Sequence, residues 1–175
     1  MMTTADTLSA YKGRAQAALG AVKVSEVAAL VHYLEAVRED GAAVYVVGNG
    51  GSQATAAHLV LHLRNTGVRA FDLLGDNAWL TAISNDCSYR EAPAWLAGTL
   101  RRAGDALFVI SGSGKSENVL CALEGFDGVR LGLLGFGGGE ARMLCNASVV
   151  LPEEEYGPVE DAHLAVVHML AEGLK

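Results

Sequence analysis

The sequence is short of proline, cysteine, aromatic residues and positive charge, and most of these shortages remove a class of protein. Three prolines in 175 residues leave no Pro-rich linker or polyproline tract. Cys87, Cys121 and Cys145 are odd in number and lack the CxxC spacing of zinc or redox motifs, which suits buried thiols in a reducing compartment. Only 13 Lys and Arg stand against 20 Asp and Glu, a net charge of −7. A nucleic-acid face or an anionic membrane surface needs clustered cations that this chain does not supply. Any phosphate must therefore be caught locally, by a few placed groups. No segment approaches the roughly 20 apolar residues of a membrane span, and the opening "MMTTADTLSAYKGRAQAAL" lacks the apolar stretch of a secretory signal. The expectation is a cytoplasmic protein with neither a membrane nor a nucleic-acid partner.

What is present is apolar bulk, 51% of the chain, enough to bury one core and so to predict a single domain over 1–175. Residues 1–40 form a helical segment: Ala28, Val31, Leu34 and Val37 recur at helical spacing, with Glu35, Arg38 and Glu39 between them. From 41 to 175 the pattern changes to an α/β core. Short runs rich in Val, Leu and Phe at 42–48, 68–74, 105–111, 129–136 and 147–152 predict strands buried on both faces. Helices are expected near 53–65, 88–103, 116–124, 138–145 and 158–174, and this alternation predicts a parallel sheet of five strands covered on both sides. In such sheets ligands sit beyond the carboxyl ends of the strands, so the loops that follow them are the ones to inspect.

Two of these loops are unusual. "GNGGS" follows the first strand and "SGSGKSEN" the third. Gly48, Gly50, Gly51, Gly112 and Gly114 let backbone amides approach an anion, while Ser52, Ser111, Ser113 and Ser116 add hydroxyl donors near helix N-termini. Neither loop is a nucleotide fingerprint: the first lacks GxGxxG spacing, and the second has Val109 where GxxxxGK[ST] requires its first glycine. Hydroxyls in place of a P-loop lysine favour a sugar phosphate over a triphosphate. The helix after "GNGGS" carries His58 and His62, four residues apart and so on one face.

The ordered motifs "VVGNGGSQATAAHL", "AISNDCSY", "ISGSGKSENV", "LGLLGFGGGEARMLCNASVVLP" and "VEDAHLAVVHML" resemble the SIS (sugar isomerase) domain family, and within it the phosphoheptose isomerases, over nearly the whole chain. The resemblance implies a flavodoxin-like three-layer sandwich preceded by N-terminal helices, and a homotetramer with shared active sites. It implies a phosphate held at Ser52, Ser111, Ser113 and Ser116, and a sugar touched by Asn49, Asn85 and Asp86. In that family the helix after "GNGGS" carries His and then Glu four residues on, and the last helix carries Gln and then His eight residues on. These groups move protons and in some members bind zinc. Here the positions read His58, His62, Glu160 and His168, so a carboxylate has left one helix and another has arrived on the second.

Three imidazoles and one carboxylate suit zinc first, with iron, manganese, cobalt and nickel as alternatives. Glu160 and His168 stand about 80° apart around an ideal helix and roughly 12 Å apart along it, a reach that long side chains or a second subunit must close. His163, about 140° around from His168, reads as a structural residue. Glu160 is the first candidate for the catalytic base, His168 for the acid or a ligand, and His62 for the alternative base. The function expected is a metal-dependent interconversion of the aldose and ketose forms of a phosphorylated sugar through an enediol. The alternatives are a non-catalytic SIS protein that binds a sugar phosphate or a partner, and an epimerase on a similar substrate.

Overall fold

Within the described residues, 2–175, a computed structural model has five short strands at its centre: β1 (Ala43–Val47), β2 (Arg69–Asp72), β3 (Ala106–Ser111), β4 (Val129–Leu134) and β5 (Ala147–Val150). Around them lie eight α-helices: α1 (Thr4–Gly20), α2 (Val24–Glu39), α3 (Gly51–Asn65), α4 (Asn77–Asp86), α5 (Ala92–Leu100), α6 (Glu117–Gly125), α7 (Ala141–Leu144) and α8 (Tyr156–Gly173). All strand pairs are parallel, in the order β2-β1-β3-β4-β5. Side chains alternate between two cores because a strand turns successive residues to opposite faces. Val44, Val46, Phe108, Ile110, Leu131 and Leu133 pack with Leu34 of α2, Leu59 of α3 and Leu170 of α8. Ala43, Tyr45, Val47, Leu107 and Val109 pack with Leu96 of α5, Leu123 of α6 and Ala141 of α7. The five strand runs were legible because burial on both faces leaves no polar alternation to mislead.

The helices depart from expectation in three places. The first forty residues form two helices bent by 60°, and α1 opens with a capping box in which Thr3 Oγ1 accepts the Asp6 N–H at 3.2 Å. The inward face of α2 is Val27, Leu30, Leu34 and Val37, one residue out of phase at its start, with Ala28 exposed. Burying Val27 and Leu30 removes more apolar surface from water than burying Ala28 would. The helix expected over 88–103 is the shorter α5, and α4 precedes it unforeseen. Its start is fixed by Asp76 Oδ1, which accepts the N–H groups of Ala78 and Trp79 at 3.0 and 3.2 Å.

One buried carboxylate ties the sheet's centre together. Asp105 accepts the Ala43 N–H at 2.8 Å, the Arg102 N–H at 2.7 Å and the Tyr45 hydroxyl at 3.2 Å, joining the starts of β1 and β3. From β1 the chain crosses through α3 to β2 on one side, and from β3 through α6 to β4 on the other. The loops after β1 and β3 consequently diverge and leave a crevice between them, the usual ligand position in an open parallel sheet. The helix α8 packs against α3, α2 and α1, the last contact carrying a 2.7 Å hydrogen bond from the Tyr11 hydroxyl to Asp161.

His163 of α8 is fully buried, as a structural residue should be, and neither ring nitrogen has a hydrogen-bond partner. Burial pushes its pKa down to about 4, against a smaller opposing pull from the Leu134 backbone, whose contact falls short of a full hydrogen bond. The folded protein thus holds a neutral imidazole that the unfolded chain protonates below its ordinary value near 6.5. Stability is unaffected above that pH, falls as the pH drops from 6.5 toward 4, and then levels, a loss of about 3 kcal/mol from this group. Urea titrations at pH 7.5 and 4.5 should show that loss in the wild type and a smaller one in His163→Leu; equal pH sensitivity in both would remove His163 as the cause.

Candidate functional site

Three elements meet at the crevice. The loop after β1 turns at Gly50, whose φ of 54° and ψ of −122° lie where a side chain is strained, and delivers Asn49 and Ser52 to the start of α3. The loop after β3 delivers Ser111, Gly112, Ser113 and Ser116 to the start of α6, and α8 contributes Tyr156 and Glu160; together they line a cavity of about 130 Å³. All four serines expected to hold a phosphate are there. Ser111 Oγ accepts the Gly114 N–H at 3.0 Å and Ser113 Oγ accepts the Lys115 N–H at 3.2 Å, so each hydroxyl keeps its proton to donate. Ser116 makes no capping bond and is free to donate its proton. The positive ends of α3 and α6 favour an anion at the same point.

Asn49 is held from two sides. Its amide and that of Asn118 exchange hydrogen bonds at 2.8 and 2.9 Å across the crevice, and the Tyr89 hydroxyl donates to Asn49 Oδ1 at 2.6 Å. Asn85 and Asp86 do not line the cavity: they lie exposed at the end of α4, where Asn85 Nδ2 donates to Asp86 Oδ1 at 2.9 Å. It is Tyr89, three residues past Asp86, that reaches Asn49. Tyr89 and Asn118 were not singled out from the sequence, although each stands at or next to the end of one of the ordered motifs.

The histidines form a second group. His58 and His62 of α3 and His168 of α8 offer ligand atoms that all lie within 4.8 Å of one another. Nε2 of His58 stands 3.0 Å from that of His168 and 3.0 Å from that of His62. A tetrahedral ion with nitrogen donors at about 2.05 Å needs them about 3.3 Å apart, close to the spacing of both pairs that His58 makes. His62 is held below the ordinary imidazole pKa by desolvation first and then by its neighbours His58, His168 and Lys175, which favours the neutral, ligating form. Glu160 does not join the trio. It stands two turns earlier on α8, its carboxylate against Gly51, where an added Cβ would collide with it. The spacing along α8 that makes a shared ion awkward is resolved by giving the two residues to different places.

His62 and His168 border a separate cavity of about 340 Å³ with Asn65, Glu172 and Lys175. A larger cavity, about 750 Å³, lies at the edge strand β2 among Phe71, Trp79, Leu96 and Leu100 and holds none of the expected site residues. Cys87, Cys121 and Cys145 are all unpaired, but they are not the buried thiols expected: Cys87 is exposed and the other two are half-buried. Burial pushes the Cys145 thiol up to about 11, which leaves it a poor nucleophile.

Comparison with known proteins bears on the family and the fold. The SIS domain family matches residues 10–127. A phosphoheptose isomerase from Geotalea daltonii is 35% identical over 159 residues, covering 86% of this chain and 83% of the relative. The structure of a phosphoheptose isomerase from Francisella tularensis superposes with a TM-score of 0.92 at 27% identity, over 99% of this chain and 98% of that one. The phosphoheptose isomerase of Neisseria gonorrhoeae superposes equally well, at 0.92, with 24% identity over 98% of each chain, a likeness of fold. The class to which the chain is matched is that of the sugar-phosphate isomerases. The chain belongs to the SIS-domain family.

The cavity makes a direct prediction about anion binding. Ser116→Ala removes a free hydroxyl without touching the loop's internal bonds, so inorganic phosphate should bind roughly 10-fold or more weaker, the loss of one charge-assisted hydrogen bond of about 1.5–3 kcal/mol. Calorimetric titration with phosphate reads this, and an unchanged affinity with an unchanged fold would move the anion elsewhere.

Proposed function

We propose that the protein is a metal-dependent isomerase that interconverts the aldose and ketose forms of a heptose 7-phosphate-like sugar through an enediol. The observation that carries the reading is the placement of Glu160: one carboxylate lines the same cavity as four serines and two helix N-termini. The cradle fixes the phosphate, and with it the sugar, so that proton transfer becomes a step between neighbours. Glu160 takes the proton from the carbon beside the carbonyl and returns it to the former carbonyl carbon, while the hydroxyl proton of the first carbon passes to the carbonyl oxygen, so that the enediol collapses to the isomeric sugar with no net change in protons. Asn49, locked by Asn118 and Tyr89, orients a sugar hydroxyl with the one amide N–H that those bonds leave free.

His58, His62 and His168 are the ligands for a divalent transition metal, zinc first by its preference for imidazole in tetrahedral sites, with iron, manganese, cobalt and nickel as the other candidates. When bound, such an ion supplies Lewis-acid polarisation of a sugar oxygen. The chain's own contribution there is to bring the three imidazoles together and to hold His62 below its ordinary pKa. His168, exposed at the rim, and His62 are the remaining proton carriers if the ion sits on fewer than three of them. Assembly as a homotetramer with shared sites belongs to the same reading: Leu8 and Leu19 of α1 are 65% and 46% exposed, and the trio lies about 12 Å along α8 from Glu160, a distance a second subunit can shorten. A cytoplasmic location accords with three unpaired cysteines.

Metal analysis of protein purified without added metal should find about one ion per chain, by three converging nitrogen donors, and none in His58→Ala. Stoichiometric metal in His58→Ala, or its absence from the wild type, would overturn the assignment of the trio. In a coupled assay on sedoheptulose 7-phosphate, Glu160→Gln should lower kcat by about 100-fold or more with KM little changed, as loss of a general base does; a fully active Glu160→Gln moves the base to His62 or His168. Light scattering at micromolar concentration should give the mass of four chains, and a monomer would leave each site to one subunit.

A further inference from the structure

The cavity that takes the phosphate is too small for the rest of the substrate. Its volume of about 130 Å³ equals that of about four waters at roughly 30 Å³ each, room for a phosphate and its ester oxygen but not for a sugar chain. The sugar must leave through the mouth, and the inner wall, Ile110 and Ser111, is buried. Among the lining residues Tyr156 is the aromatic one, and it is 56% exposed.

We infer that Tyr156 is the platform on which the sugar rests once its phosphate is seated, and therefore a residue that sets specificity; the inference rests on the phosphate cradle proposed above. Two independent features hold the ring in place. On one side it lies so close to Gly112 that an added Cβ there would stand 2.7 Å from Tyr156 Cδ1. On the other it meets Phe136, with centroids 4.9 Å apart and planes tilted by 54°. Phe136 has a φ of 51°, the non-glycine residue with left-handed backbone among the described residues, although glycines flank it at 135 and 137. A large side chain kept where glycine would be relaxed indicates that its ring is used, and its backbone is pinned, its N–H donating to the Glu153 carbonyl at 3.0 Å. Tyr156 and Glu160 are also i and i+4 on α8, so the ring and the carboxylate share one face. A sugar lying with its C–H face on the ring presents its carbon chain to Glu160.

The test is calorimetric titration of wild type, Tyr156→Phe, Tyr156→Leu and Phe136→Gly with two probes, inorganic phosphate and sedoheptulose 7-phosphate. Tyr156→Leu should weaken the sugar phosphate by roughly 5- to 10-fold, the scale of one aromatic contact, and leave phosphate within about twofold. Tyr156→Phe should stay close to wild type, and Phe136→Gly should shift the sugar phosphate in the same direction by less. In turnover the Leu variant should raise KM with kcat retained. Equal weakening of both probes, or of neither, overturns the platform, as does a wild type that binds the sugar phosphate no more tightly than phosphate. A wild type that binds no phosphate overturns the cradle itself, and the platform with it.

Discussion

The approach of α8 to α3 at Gly51 is the constraint on which both groups of site residues depend. The two helices meet where α3 begins, and the missing side chain of Gly51 lets the Glu160 carboxylate lie against the backbone there. Below that point Leu59, Leu63, Val166, Val167 and Leu170 are buried in a common core, which fixes the crossing. The faces left over after this packing carry the functional groups: Glu160 with the serines at the top, and His58, His62 and His168 further down. A shift of α8 by one residue would part Glu160 from the cradle and His168 from the other imidazoles together.

Electrostatics explains why the cradle has the composition it does. The chain carries a net charge of −7, and the cavity lining contains no lysine or arginine. The anion proposed to bind there is therefore held by hydroxyls and amide dipoles, which are strong only where they are preorganised and water is scarce. The rigidity of the Asn49–Asn118 pair and of the serine loop meets that demand. A carboxylate such as Glu160 can stand beside a phosphate in this setting because neutral donors spread over two helix ends, not a single cation, balance the negative charge.

Sequence reasoning reached the sheet in full and the site in part, for physical reasons that differ between residues. Strands buried on both faces announce themselves as apolar runs, and the loops after β1 and β3 follow from chain order alone. Residues four apart on one helix, such as His58 and His62, share a face by geometry, so their convergence was legible. The partition of Glu160 and His168 was not, because periodicity along α8 fixes height and angle but not which part of α3 lies opposite each turn. The helix α4 escaped notice because it is only 10 residues long and buries one residue, Ile83, its start being set by the Asp76 cap, and the end of that helix turns Asn85 and Asp86 outward while Tyr89 reaches in. The contact from Tyr89 to Asn49 spans 40 residues of chain, and no local pattern encodes it.

The order in which the chain emerges from a ribosome gives α8 a further meaning. Strands β1 to β5 and the loops proposed to cradle an anion are all synthesised before it, yet Leu59 and Leu63 of α3 have no complete cover until its last turns arrive, and neither the carboxylate nor the third imidazole exists before then. Closing the core and completing the site are thus one event in the history of each molecule. A nascent chain stalled short of α8 exposes an oily helix face to chaperones and proteases at the same time as it lacks Glu160 and His168. A pool of half-made, half-active molecules is thereby avoided by topology alone.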